Sequence, residues 1–404
     1  MPLPLAGLTV LEFTHTVMGP ACGVVLADLG ADVIRVEPAP KGDPTRYLGG
    51  FASGFFLYFN RNKRSICINL KQEDGLQVAH DLIRSADVLI ENYGPGTMDR
   101  LGCGWTAMHA LNPALIYCEL KGFLSGPYER RPAMDELVQF MGGLAYMTGL
   151  PGQPMRAGAS VVDILGGVMG VVAILAALRQ RDQDGIGRRV TGTLYESVAF
   201  LMAQHMAQEA ATGKPVPPMT MRAKSWSVYE LYPTRDGKEV FLAVISDKHW
   251  RSLCRLLGLE TAAGDPRFTD NTARLQHRET IAALIREATL RFDFDPLCVL
   301  LEQAGVPFAP LRTPSDLFDD PQMNAEGRML PIRMASGKTA KLPPLPFAIE
   351  GETMKLRRQP PGAGEHSAEI LTGLGLGEAQ IAALQASGAI GAEAEIREPE
   401  ETPQ

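Results

Sequence analysis

The chain has 404 residues, 45% of them hydrophobic and 21% charged, a balance typical of globular proteins and unlike that of a disordered chain. Its net charge is −7 with no basic block, which argues against a nucleic-acid partner. The six cysteines, Cys22, Cys67, Cys103, Cys118, Cys254 and Cys298, form no CxxC pair. That pattern predicts reduced thiols in a cytoplasmic protein, with neither a disulfide framework nor a metal site.

The N-terminal stretch MPLPLAGLTVLEF lacks a basic region followed by a long apolar run, so no signal peptide is expected. Thr9–Phe13 reads as a strand. A break at Gly19-Pro20 precedes a helix over Ala21–Leu29, and Asp32–Glu37 reads as a second strand. The alternation continues with a strand at Ser65–Leu70, an amphipathic helix at Glu73–Arg84, and strands at Asp87–Tyr93 and Leu115–Leu120. Strand–helix alternation with short Gly-bounded joints predicts βαβ units and a Rossmann-like parallel sheet. No GxGxxG follows the first strand, so a nicotinamide cofactor loses its main support. Helical sequence dominates from 134 to 213. Within it, the apolar run 157–178 matches a membrane span in length, but its glycines and its internal Asp163 favour a buried core helix, and no membrane partner is expected.

The Pro-rich stretch Gly213–Met219 reads as the heart of a linker over 213–224, ending a large N-terminal part at 1–212. A small α+β domain is expected over 225–325, with a hairpin from Tyr229–Pro233 and Lys238–Ile245 and helices near Lys248–Leu257, His277–Thr289 and Pro296–Ala304. Residues 326–390 return to short strands and prolines with a last helix near His366–Leu384, and 391–404 form an acidic tail of disordered composition.

Asp163 is the residue singled out for chemistry. It falls in the first turn of the apolar helix, where the macrodipole favours an ionised carboxylate by about 0.3–1 kcal/mol. Gly166, Gly167 and Gly170 follow it and would let a ligand approach the backbone. A desolvated carboxylate near free N–H groups suits nucleophilic attack on an acyl carbon. The local pattern by itself fits better an N-capping aspartate that only starts a helix. His15 follows the first strand, where ligands bind in parallel sheets. Lys63, Arg64, Lys71, Arg100 and Lys121 stand at other strand ends and would suit a phosphorylated ligand. No nucleophile elbow and no zinc-spaced histidine pair is present.

LEFTHTVMGPACG (11–23), ADLGADVIRVEP (27–38), NRNKRSICINLK (60–71), ENYGPGTMDRLG (91–102), KGFLSGPYERRPAMDE (121–136) and RAGASVVDILGG (156–167) together resemble the class III, CaiB/BaiF-type CoA transferases, in the family's order and through most of the chain. The resemblance implies a Rossmann-like large domain built from both chain ends, a smaller inserted α+β domain, and an interlocked homodimer. It implies a catalytic aspartate at Asp163 and CoA contacts from His15, Lys71, Asn92, Tyr93, Arg100 and Lys121. Coenzyme A is then a co-substrate, with no permanently bound cofactor and no metal. Formyl-CoA transferases of the family carry an arginine where this chain has Pro38, so Arg35 or Lys41 is the expected substitute at the nucleotide. The chain also lacks their run of four glycines, which weakens a formyl-CoA:oxalate assignment. The α-methylacyl-CoA racemases of the family place a His-Asp pair where this chain reads Met134-Asp135, and a racemase needs that second base. The stretch from Lys121 to Gly149 resembles members acting on mesaconate, itaconate, citramalate or succinate. A second substrate carboxylate would need a cation, for which Arg131, Arg156 and Arg222 are the candidates.

Overall fold

The protein is described by a computed structural model covering residues 2–221, 225–334, 337–352 and 354–391. Arg222 and the acidic tail beyond Gly391 lie outside the described residues.

Among the described residues, β1 (Thr9–Phe13), β2 (Asp32–Pro38), β3 (Lys63–Ile68), β4 (Val88–Glu91), β5 (Ile116–Lys121) and β6 (Arg189–Thr193) form one sheet in the order β3-β2-β1-β4-β5-β6. Every neighbouring pair is parallel. Val10, Val33, Val88, Ile90, Ile116 and Cys118 face one core, and Leu11, Ile34, Ile66, Leu89 and Tyr117 face the other. Burial on both faces accounts for strands rich in Val, Ile and Leu, and the polar residues that interrupt them, Glu12, Arg35, Glu37, Lys63 and Ser65, are themselves buried. Crossover helices run back against the strands, so their N-termini lie at the sheet's carboxyl edge.

The helix Met18–Asp28 begins earlier than the sequence suggested, with Gly19 and Pro20 inside its first turn. Proline is tolerated there because that N–H has no helical partner to lose. The helix Val161–Asp184 is long and apolar enough to cross a membrane. Its Val162, Gly166, Gly167, Gly170, Val171, Ile174, Ala177 and Leu178 are nevertheless buried, and it packs on Met18–Asp28, β5 and β6. Its opposite side exposes Ile164, Val168, Val172 and Leu175.

The chain divides into two compact units, Met1–Thr220 with Asn324–Gln404, and Met221–Met323. In the first, the C-terminal segment returns to β3: the His366 N–H donates to the Ser65 carbonyl at 3.0 Å and the Gly391 N–H to the Cys67 carbonyl at 2.9 Å. Two helices, Ser367–Gly373 and Glu378–Ala386, replace the single one expected, because Gly375 takes φ +87° between them. In the second unit, β7 (Tyr229–Pro233), β8 (Glu239–Ala243) and β9 (Phe308–Pro310) pair antiparallel. Val240, Leu242, Trp250, Leu253, Ile281 and Leu297 form its core with the helices Asp247–Leu257, Arg278–Thr289 and Phe294–Gln303.

Candidate active site

β1 is flanked by β2 on one side and β4 on the other, so the chain reverses its winding between β1 and β4. In parallel sheets such a switch point opens a crevice at the carboxyl edge. Here the two loops leaving it are clamped together. The His15 N–H donates to Asn92 Oδ1 at 3.0 Å, and Asn92 Nδ2 donates to the His15 carbonyl at 2.9 Å. The His15 and Tyr93 rings lie 5.6 Å apart. Burial pushes the His15 pKa down, with Asp43 opposing and Arg35 reinforcing that shift, so the ring is neutral at pH 7.

Tyr93 links the remaining expected cations. It lines a cavity of about 350 Å³ together with Lys71, Pro38, Ile68 and Leu70. Its carbonyl accepts from Lys121 Nζ at 2.8 Å. Lys121 also pairs with buried Glu91, whose carboxyl burial pushes up to about 7 despite the nearby ammonium. Lys121 and Arg100 border a larger cleft of about 790 Å³. His15, Lys71, Asn92, Tyr93, Arg100 and Lys121 thus stand along one edge of the sheet.

Three other cations do not join them. Lys63 and Arg64 open β3, at the opposite edge. Lys63 is fully buried, 2.7 Å from Glu12, and burial brings its ammonium down to about 8 with Glu12 opposing; Arg64 pairs with Asp32. Arg35, expected near a nucleotide, has no exposure. Its guanidinium is held by Glu12 at 2.7 Å, Asn60 at 2.9 Å, the Thr14 carbonyl at 3.0 Å, and Asp43. Only its Nε–H lacks a hydrogen-bond partner, and that atom is buried and faces Glu37 at 3.9 Å, so the guanidinium is closed to a ligand, whereas Lys41 is exposed.

Asp163 is the third residue of the helix Val161–Asp184, whose N-cap Ser160 makes no side-chain cap bond. The cap comes from afar. Asp135 Oδ2 accepts the Val162 N–H at 2.8 Å and the Asp163 N–H at 3.0 Å. Gln139 Nε2 holds Asp135 Oδ1 at 2.6 Å, and Gln139 Oε1 accepts the Ala157 N–H at 2.8 Å. Asp163 is therefore relieved of capping, and its half-buried carboxyl makes no hydrogen bond or ion pair among the described residues. Burial, and secondarily the Asp135 charge, push that carboxyl up to about 7. The pair Asp135–Gln139 sits one helical turn apart in sequence, but nothing local marks residues 162 and 163 as its target.

The glycines after Asp163 serve packing and not ligand approach. A Cβ at Gly167 would lie 2.5 Å from the Met18 carbonyl oxygen, and one at Gly166 would lie 2.6 Å from Met18 Cε. They let two helices touch backbone to backbone, which seats the first turn of Val161–Asp184 beside the β1 loop. Of the expected carboxylate-binding arginines, exposed Arg131 stacks 4.1 Å from the Tyr128 ring and has no ion-pair partner among the described residues. Arg156 lies 4.0 Å from Glu136 and 5.8 Å from the Phe51 ring.

Residues 5–367 match CoA-transferase family III. The chain belongs to that family. It is 34% identical over 383 residues to the succinate–glutarate CoA-transferase of Agrobacterium fabrum, covering 92% of this chain and 96% of that one. It is 33% identical over 402 residues to the succinyl-CoA–D-citramalate CoA-transferase of Chloroflexus aurantiacus, with coverage of 96% and 98%. A solved CaiB/BaiF family protein from Brucella suis aligns with a TM-score of 0.84 at 34% identity, over 93% of this chain and 100% of that one. The protein is a CoA-transferase, and its co-substrates are CoA thioesters. In this family III CoA-transferase, Asp163 occupies a helix N-terminus at the same sheet edge as the His15–Asn92 clamp.

Proposed function

We propose that this CoA-transferase moves CoA from a dicarboxyl-CoA such as succinyl-CoA to a small free dicarboxylate of the mesaconate, itaconate or citramalate kind, through a thioester on Asp163. The observation that carries this reading is the uncommitted, half-buried Asp163 carboxyl at a helix N-terminus already capped by Asp135. An Asp163 oxygen attacks the thioester carbonyl, the C–S bond breaks, and a mixed anhydride and CoA thiolate result. The thiolate attacks the aspartyl carbonyl, expelling the donor carboxylate and leaving aspartyl-CoA. The acceptor carboxylate attacks that thioester and releases the thiolate. The thiolate then attacks the new acyl carbonyl and regenerates Asp163. Each step exchanges bonds of similar energy, and excluding water protects the anhydride.

His15, Lys71, Asn92, Tyr93, Arg100 and Lys121 hold CoA in this reading. Lys71 and Tyr93 meet it at the smaller cavity, and Arg100 and Lys121 at the larger cleft. Arg131, stacked on Tyr128 and free of an acidic partner among the described residues, takes the second substrate carboxylate. Racemisation is disfavoured because Met134, 63% exposed, supplies no base beside Asp135. A second copy of the chain covers the apolar stripe Ile164, Val168, Val172 and Leu175, as in a homodimer.

The test is to mix the protein with succinyl-CoA, quench in acid, and take an intact mass and a peptide map. An adduct of CoA less water on the peptide holding Asp163 supports the reading. No adduct there with succinyl-, acetyl-, formyl- and mesaconyl-CoA overturns it.

A further inference from the structure

Thr16 carries a backbone φ of +64°, a conformation that costs a β-branched residue far more than glycine. The surroundings impose it. Its N–H donates to Thr45 Oγ1 at 2.9 Å, and that hydroxyl donates to Asp43 Oδ1 at 2.8 Å. Asp43 Oδ1 also accepts the Thr45 N–H at 2.8 Å, and the other Asp43 oxygen pairs with Arg35. Arg35 reaches back to the Thr14 carbonyl at 3.0 Å, so both sides of His15 are tied to one buried network. Thr14, Arg35, Asp43 and Thr45 are all buried. The product of this constraint is one side-chain contact: Thr16 Oγ1 lies 2.8 Å from His15 Nδ1.

A glycine at 16 would adopt the same backbone without strain but would leave the imidazole Nδ1 without its hydroxyl partner. The His15 backbone is already fixed by Asn92, so the Thr16 hydroxyl governs the ring alone. With Nδ1 engaged, Nε2 is the nitrogen left for a ligand.

We propose that Thr16 is a positioning residue: held in its left-handed conformation by the Arg35–Asp43–Thr45 chain, it fixes the orientation of the His15 ring toward bound CoA. This rests on the reading above that His15 contacts CoA. Strain stored at one residue is then exchanged for a ring that does not have to be ordered when the ligand arrives.

The experiment compares Thr16→Gly, Thr16→Ser and His15→Ala, with Thr16→Gly also made in the His15→Ala background. KM for acyl-CoA, kcat and Tm are measured for each. Thr16→Gly is expected to raise KM about tenfold, lower kcat less than twofold, and leave Tm within a few degrees, the signature of lost uniform binding. Thr16→Ser keeps the hydroxyl and is expected to restore KM. In the His15→Ala background Thr16→Gly adds nothing, because the ring it positions is gone. An unchanged KM in Thr16→Gly, or an equal KM rise in both backgrounds, overturns the positioning role. An unchanged KM in His15→Ala instead overturns the CoA reading of His15 itself. Should Thr16→Gly fail to fold, Thr45→Val removes the same anchor from the other side, with Thr45→Ser as its rescue.

Discussion

One carboxylate acts on another through the backbone: Asp135 accepts the N–H of Asp163 at 3.0 Å while its charge discourages ionisation of the Asp163 side chain. The same group therefore fixes where the second carboxyl stands and adds to burial in opposing its charge.

Activity should follow that ionisation. Attack requires the carboxylate form, and burial together with Asp135 puts the Asp163 carboxyl at about 7. kcat/KM for acyl-CoA is expected to rise with pH through a midpoint near 7. Asp135→Asn removes the like charge and should move that limb to lower pH. A limb that does not move in Asp135→Asn assigns it to another group.

Stability should run the other way. With the folded pKa raised above the unfolded one, the native state binds more protons between about pH 4 and 7, so Asp163 costs stability progressively as pH rises through that window. Asp163→Asn, inactive in exchange, should be more stable than the parent at pH 8 by about 1–3 kcal/mol, with no difference near pH 4. Urea titrations at the two pH values measure this, and equal differences at both would contradict it.

Gly167→Ala tests the helix contact beneath the site. The new methyl would meet the Met18 carbonyl oxygen at 2.5 Å, a backbone atom that cannot swing aside. A loss of about 1–3 kcal/mol is expected, with a fall in kcat as the Asp163 turn is displaced. Full activity and stability would mean the two helices separate freely.

Much of this architecture was legible in the sequence, and the exceptions have physical causes. β1 matches Thr9–Phe13, and every end of β2 to β5 falls within two residues of expectation, because these buried strands carry short runs rich in Val, Ile and Leu. β6, with sequence RVTGT, has no such run: it is an edge strand whose burial is partial. His15 was legible from its place after a strand. The Asp135 cap was not, since its targets lie 27 and 28 residues away in sequence. The cations Lys63, Arg64 and Arg35, expected at a phosphorylated ligand, are held by acidic side chains instead. Sequence shows that a charge lies in or beside a strand, and only the fold shows how deep it is and which acid holds it.

Arg131→Ala should raise KM for a dicarboxylate acceptor about tenfold while leaving KM for acyl-CoA within twofold, because its guanidinium, stacked on Tyr128, is not tied to an acidic side chain among the described residues. Acceptor series comparing a dicarboxylate with its monocarboxylate analogue measure this. Equal losses on both analogues would remove Arg131 from the second carboxylate.

Val172→Glu places a charge in the middle of the exposed stripe formed with Ile164, Val168 and Leu175. Sedimentation velocity at micromolar concentration should show the parent as a dimer and the variant shifted to monomer. A parent that sediments as a monomer would leave the stripe without a second copy to cover it.

The return of the C-terminal segment to β3 has a consequence for biosynthesis. Ser65, Cys67 and Asn69 find backbone partners in His366, Gly391 and Ala389, about three hundred residues later. On a ribosome that has released the first two hundred residues, β3 is a bare strand edge with unpaired carbonyls and amides, the kind of edge that recruits other nascent chains. The second unit, Met221–Met323, has all its own strands and core in hand before that edge is closed. The order of synthesis therefore favours folding of the inserted unit first and sealing of the six-stranded sheet last, and a chain released before residue 390 would leave that sheet open to aggregation.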